Sequence, residues 1–168
     1  MEDRFQSTFN QNVSDQNSAP QSENSTIALI AMNEVGYKNI IKIVSDAHLN
    51  SGSIGIAQAK WSKIKSNSEG LILLTGGPHG PIDRQIALGM YDIARSRIEN
   101  FKEVFGQNLY LEIQRHNLPE EKENEPKVLQ LAYETCVPLV ATNEVYFGSS
   151  DEYEAHDVLL CIADGRYI

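Results

Sequence analysis

The chain has 168 residues, 41% of them apolar and 22% charged, with 14 Lys plus Arg against 23 Asp plus Glu for a net charge of −9. That length supports one domain with a real core, and the acidic balance argues against this segment alone tracking a phosphate backbone, which calls for a basic groove. No run approaches the ~20 apolar residues that span a bilayer, and the polar first residues carry no secretory signal or lipidation motif, so a cytoplasmic location with no membrane contact is expected.

Residues 1–24 stand apart, because twelve of the 24 are Gln, Asn or Ser. Such a stretch has too little apolar surface to offset its ordering entropy and is expected to be disordered or loosely attached. The folded part is expected over 25–168. Thr26 to Met32 is a short apolar run, long enough for a buried strand. Asn33 is placed to cap a helix from Glu34, with Tyr37, Ile40, Ile41, Val44 and His48 recurring at helical spacing. A loop at 50–55 leads to a short helix, 57–65, that presents Trp61 and Ile64. Leu71 to Thr75 is a second buried strand, and Gly76-Gly77 directly after it permits close backbone approach or positive φ. The loop lacks the Gly-Lys-Ser/Thr ending of a phosphate loop and is not GxGxxG.

One long helix is expected over 83–105, its apolar side including Ile86, Met90, Ile93, Ala94, Ile98, Phe101 and Phe105, with Gly106 as its stop. The stretch from Leu109 to Glu144 organises the rest as strand, polar loop, helix, strand. Leu109, Leu111 and Ile113 face one way; Tyr110, Glu112 and Gln114 face the other, with His116 just beyond. That pattern suits a barrel wall covered by helices outside and leading to a polar pocket inside. Asn124-Glu-Pro126 opens the next helix, Pro138 to Thr142 is the next strand, and Ser150-Asp-Glu starts a last helix carrying His156-Asp157. Cys136 and Cys161 sit in apolar helical patterns and are expected to be buried small side chains rather than a disulfide or metal pair.

Strand-then-helix recurs four times, which predicts parallel strands with right-handed crossovers. The fold class is therefore α/β, with about four parallel strands and helices outside. The end of the chain just past a helix suggests truncation, and half a barrel would expose strand edges and apolar faces prone to aggregation.

Sites in such folds gather at strand carboxyl ends. Here those ends are Thr75-Gly76-Gly77 with His79 nearby, Gln114-Arg115-His116, and Asn143-Glu144-Val145-Tyr146. A metal-dependent hydrolase needs three or four converging His, Asp, Glu or Cys ligands. The rim offers His116 and Glu144, with His79 or Glu112 as further candidates. No Ser-His-Asp, Cys-His, H-x-H or H-E-x-x-H arrangement is visible, so no catalytic residue is assigned. A free-standing phosphoesterase using His116, Glu144, His79 and a divalent ion is the alternative, and a nucleotide-binding module built on Gly76-Gly77 is a third reading.

Five blocks in order carry a family resemblance: AMNEVGYKNIIKIVSDAH from Ala31, EGLILLTGGPHGPI from Glu69, FKEVFGQNLYLEIQRHNLPEE from Phe101, VPLVATNEVYF from Val137 and EAHDVLLCIADGR from Glu154. The chain resembles the amino-terminal PHP (polymerase and histidinol phosphatase) domain of the alpha subunit of bacterial DNA polymerase III. The resemblance implies a partial (β/α)7-type PHP barrel with its site at the strand carboxyl ends. In metal-binding members His stands where this chain has Thr26, Cys or His at Gly77, Asp at Glu144 and His at Tyr146. Only Glu144 keeps a ligating group, so the resemblance implies a degenerate site without metal or cofactor in this chain. His116, Asn143 and His79 remain as polar rim residues. It further implies a scaffold role, with the remainder of the alpha subunit and the proofreading exonuclease subunit as partners. DNA would be met only through the full polymerase. The Mg2+-dependent nucleotidyl transfer would belong to a palm domain absent here, leaving this chain inactive by itself.

Overall fold

The computed structural model describes residues 4–8, 25–50 and 57–167. Its centre is a six-stranded sheet in the order β3-β1-β2-β4-β5-β6, made of β1 (Arg4–Thr8), β2 (Ser25–Ala31), β3 (Gln58–Lys60), β4 (Leu71–Leu74), β5 (Leu109–Ile113) and β6 (Leu139–Ala141). The helices are α1 (Glu34–Asn50), α2 (Trp61–Ser66), α3 (Asp83–Ala87), α4 (Tyr91–Phe105), α5 (Pro119–Thr135) and α6 (Tyr153–Asp164). The expected α/β class, a partial PHP-type barrel with helices outside, is what these elements make.

The all-parallel expectation needs one correction. β2 is antiparallel to both β1 and β4, while β1 pairs parallel with β3, and β4, β5 and β6 pair parallel in sequence. One strand therefore runs against the others. The consequence is positional: the amino end of β2, with Thr26, meets the carboxyl end of β4, and Ala28 lies opposite Leu74.

The core lies between one sheet face and α1, α4 and α5. Ile27, Leu29, Leu71, Leu73, Leu109 and Leu111 supply the sheet side. Alternation places every second strand residue on that face. Ile43 and Ala47 meet them from α1, Ala94, Ile98, Phe101 and Phe105 from α4, and Val128, Leu131 and Ala132 from α5. Trp61 closes the layer with its ring centroid 4.8 Å from Phe101. The opposite sheet face, with Thr26, Ala28, Leu74, Glu112 and Thr142, lines a concave cavity of about 400 Å³.

Several sequence expectations shift in detail. Within the 1–24 segment, expected to be disordered or loosely attached, Arg4–Thr8 forms a strand; the other residues of that segment, and 51–55 of the expected 50–55 loop, lie outside the described residues. The expected helix 57–65 begins instead as β3, a strand too short to leave a periodic signal. The single helix over 83–105 is two helices, because Gly89 sits at φ +74° between them. Left-handed backbone costs glycine little and ends a helical run. Met90 and Ile93, expected inside, are exposed as a result. On α1 the buried stripe is Gly36, Asn39, Ile43 and Ala47, with Tyr37 and Ile41 exposed. α5 starts at Pro119, not near Pro126, which lies inside the helix and gives up one backbone bond there. Cys136 is exposed rather than buried: it is the left-handed C-cap of α5 at φ +51°, outside the helix's buried face, and Cys161 is half-buried.

The α1 shift has a steric cause. A Cβ placed on Gly36 would lie 1.9 Å from the Gly70 carbonyl oxygen, so only glycine lets the helix approach the turn before β4. Asn33 Oδ1 accepts from the Gly36 N–H at 3.0 Å, capping the helix as expected, and Asn39 Nδ2 donates to the Glu69 carbonyl at 2.9 Å. Gly36→Ala should lower stability by about 1–3 kcal/mol through overpacking against backbone. Lys38→Ala, which removes only an exposed ion pair with Glu34, should cost at most about 0.5 kcal/mol. Urea denaturation midpoints of the two variants check the contrast.

Candidate functional site at the strand rim

The rim is built where β4, β5 and β6 end and β2 begins. Gly76 and Gly77 both have positive φ, +82° and +51°, as the pair directly after a strand suggested. A Cβ on Gly76 would lie 1.8 Å from the Thr26 carbonyl oxygen. The glycine loop thus folds back onto the amino end of β2, and Thr26 joins the rim through strand direction.

The centre of the rim is Glu112, a buried residue on the inner side of β5. Its Oε2 accepts from the Gly76 N–H at 2.8 Å, and its Oε1 accepts from Gln114 Nε2 at 2.9 Å and from the Thr142 hydroxyl. Gln114 Nε2 also reaches Thr142 Oγ1 at 3.2 Å, and the Glu112 N–H donates to Thr75 Oγ1 at 3.0 Å. One carboxylate thereby ties together the β4 loop, β5 and the end of β6. Buried charge is tolerated when several donors satisfy it, and three do so here.

His116 sits just outside this knot. Its Nδ1 is 2.7 Å from Glu121 Oε1, and its backbone N–H donates to Glu121 Oε2 at 2.6 Å. The Leu118 N–H donates to the same oxygen at 3.2 Å. A carboxylate at Nδ1 favours the tautomer with the proton there, leaving Nε2 as an acceptor. Nε2 lies 3.4 Å from the Glu144 N–H. Burial works to raise the Glu121 carboxyl, but the hydrogen bonds from the His116 ring and from the Leu118 and His116 amides outweigh it and leave it below its ordinary value. Arg115, between Gln114 and His116 in sequence, turns away to a two-bond pair with Glu125 at 3.0 and 2.6 Å. That pair holds the Glu125 carboxyl low.

Glu144 accepts from the Tyr146 hydroxyl at 2.7 Å. Both residues, with His79 and His116, line a second cleft of about 440 Å³, while Thr26, Asn143 and Glu144 line the inner cavity. The structure thus brings Thr26, Glu144, Tyr146, His116, Asn143 and exposed His79 to one rim. Gly77 is beside them, buried, and a Cβ there would come within 3.0 Å of Gln114 Cδ. Among the described residues, no three His, Cys, Asp or Glu side chains are grouped so as to hold a metal ion. The donors at the four family positions do not fit a divalent cation: a hydroxyl, no side chain, one carboxylate and a phenol make a poor set. His156 packs against the rings of Tyr146 and Phe147, with centroids 5.4 and 5.3 Å away.

Sequence reading missed Glu121, Glu125 and Thr142 as members of the site. The two glutamates follow from the true start of α5, signalled by Leu118-Pro119-Glu120-Glu121, where Pro suits the first turn and acidic residues the helix amino end.

These features define an α/β domain with a polar rim at one end of its sheet, closed by side-chain hydrogen bonds. The family model of the PHP domain matches residues 5–116, and the chain belongs to that family. It is 44% identical over 143 residues to DNA polymerase III subunit alpha of Caulobacter vibrioides, an alignment covering 85% of this chain and 12% of that protein. The Rickettsia bellii subunit of the same name is 37% identical over 83% of this chain and 12% of its own length. The Pseudomonas fluorescens one is 32% identical over 89% and 13%. The chain therefore spans about an eighth of the length of these curated relatives. No helix among the described residues is long and apolar enough to cross a membrane.

Glu112→Gln places an amide N–H2 among three donors and removes the charge they converge on. It should cost about 1–3 kcal/mol, read as a lowered urea midpoint.

Proposed function

We propose that this chain acts as the PHP portion of a DNA polymerase III alpha-type subunit and is a scaffold rather than a catalyst. The observation that carries the reading is the poverty of the rim's donor set: Glu112 is already engaged by Gly76, Gln114 and Thr142, and Thr26, Gly77 and Tyr146 add no carboxylate, imidazole or thiolate beside Glu144. Similarity to the alpha subunits over most of the chain supports the parentage. Replication of DNA would then be the work of the whole polymerase, with its Mg2+ held in another domain, and this domain would contribute shape and attachment.

Its partners in this reading are the remainder of the alpha subunit and the proofreading exonuclease subunit, in the cytoplasm. An unpaired apolar surface supports such an arrangement. Leu159, Leu160 and Ile162 of α6 are exposed, and α6 contains no buried residue. Leu139 on β6 is exposed as well. Each such side chain gains about 1.5–3 kcal/mol when fully covered. DNA itself is a poor direct partner for a chain of net charge −9.

The test is metal loading. The full chain is incubated with Mn2+ or Zn2+, freed of unbound ion by gel filtration, and assayed for retained metal and for hydrolysis of bis(p-nitrophenyl) phosphate. Retention far below one ion per chain and no turnover are expected. Near-stoichiometric retention with turnover would overturn the scaffold reading in favour of a PHP-type phosphoesterase working through His116, Glu144 and His79.

A further inference from the structure

Behind the rim, Pro78, Asp83, Glu112, Glu121 and Glu125 surround a cavity of about 10 Å³, close to the smallest space that holds one water. Three of the four carboxylates are satisfied. Glu112 has the rim donors, Glu121 has His116 and Leu118, and Glu125 has Arg115. Asp83 is different. It opens α3, is only 7% exposed, and its Oδ2 has no hydrogen-bond partner among the described residues. Among the described residues its own backbone N–H is the one donor acting on the carboxylate; a buried carboxylate so poorly served is costly, and the usual resolution is to keep its proton.

We propose that Asp83 is a buried proton-binding site, and that losing its proton above neutral pH loosens α3 against α5 and the Glu112 rim. The geometry gives the coupling. Asn124 Nδ2 on α5 reaches the Asp83 carbonyl at 3.4 Å, and Glu112 on β5 borders the same cavity. The groups facing Asp83 are Glu112 from β5 and Glu121 and Glu125 from α5, all acidic. Arg84 follows it on α3, and Arg97 on α4 donates to the Pro81 carbonyl at 3.1 Å. His79 lies in the short turn preceding the helix. Burial pushes the Asp83 carboxyl up to about 7, its own backbone N–H works against that, and the negative charge of Glu112 adds to the rise.

The direction of the effect follows. The unfolded chain loses this proton near the ordinary value of 3.8, whereas the folded chain holds it to about 7. Its contribution is therefore full below the ordinary value, falls as pH rises to about 7, and is flat beyond. A shift of that size changes the folding equilibrium constant by roughly two to three powers of ten.

The test uses the full chain and its Asp83→Asn variant. Carbon-detected NMR of the wild-type Asp side chains should show one carboxyl titrating near neutrality that is absent from the variant. The wild-type melting midpoint should fall more steeply than the variant's between pH 5 and 8, and its α3 amides should exchange faster than the variant's at pH 8. An Asp83 carboxyl titrating in the ordinary range overturns the proposal, whether or not the variant folds. So do identical pH profiles for the two proteins.

Discussion

The structure depends on the way the Glu112 carboxylate is held. A single side chain on the inner face of β5 accepts hydrogen bonds from the β4 loop, from Gln114 just past the end of its own strand, and from Thr142 just past the end of β6. Those are the segments that strand direction and short connections bring to one rim. Such a cluster in a water-poor setting is worth more than the same bonds at the surface. It would be strongly destabilising if one donor were lost. It also fixes the orientation of the rim carboxylate, whose two oxygens are aimed at the Gly76 N–H and at Gln114 and Thr142.

Around this knot the other features fall into place. Glycine at 76 allows the loop to touch the Thr26 carbonyl, and glycine at 77 leaves room for Gln114 to reach Glu112. A larger residue at 77 would meet Gln114 and disturb the network from its far side. His116 is oriented by a carboxylate from the first turn of α5, yet its acceptor nitrogen meets the backbone N–H of Glu144 rather than a second ligand. At this rim the side chains of Glu112, Gln114 and Thr142 bond to one another and to the glycine loop.

How much of this was legible in the sequence differs from element to element. The alternation in Leu109 to Gln114 placed Glu112 and Gln114 on the inner face, and the glycine pair marked the tight loop. Both signals are local and strong. The direction of β2 was not legible, because an alternating apolar pattern is the same when read backwards, and only its pairing with β4 settles it. Glu121 was hidden by the start of α5: the Pro119-Glu120-Glu121 signal competes with an equally good one at Asn124 to Pro126, since either proline suits a first turn. The inward stripe of α1 was read only in part: Ile40 and Val44 do pack against the core, but the stripe's centre is shifted because Gly36, which carries no hydrophobic signal, sets how close the helix lies. The rim as a whole could be anticipated from the family resemblance, whereas the bonds that fill it could not.

Backbone NMR with trace Mn2+ is the most direct test of the central claim, because a bound paramagnetic ion broadens amides within its reach whatever the activity. The account predicts that the amides of Gly76, His116 and Glu144 broaden no more than those of acidic surface positions such as Glu99. Selective loss of those three signals at substoichiometric Mn2+ would contradict it, for it would place a cation where the structure has a closed network of protein hydrogen bonds.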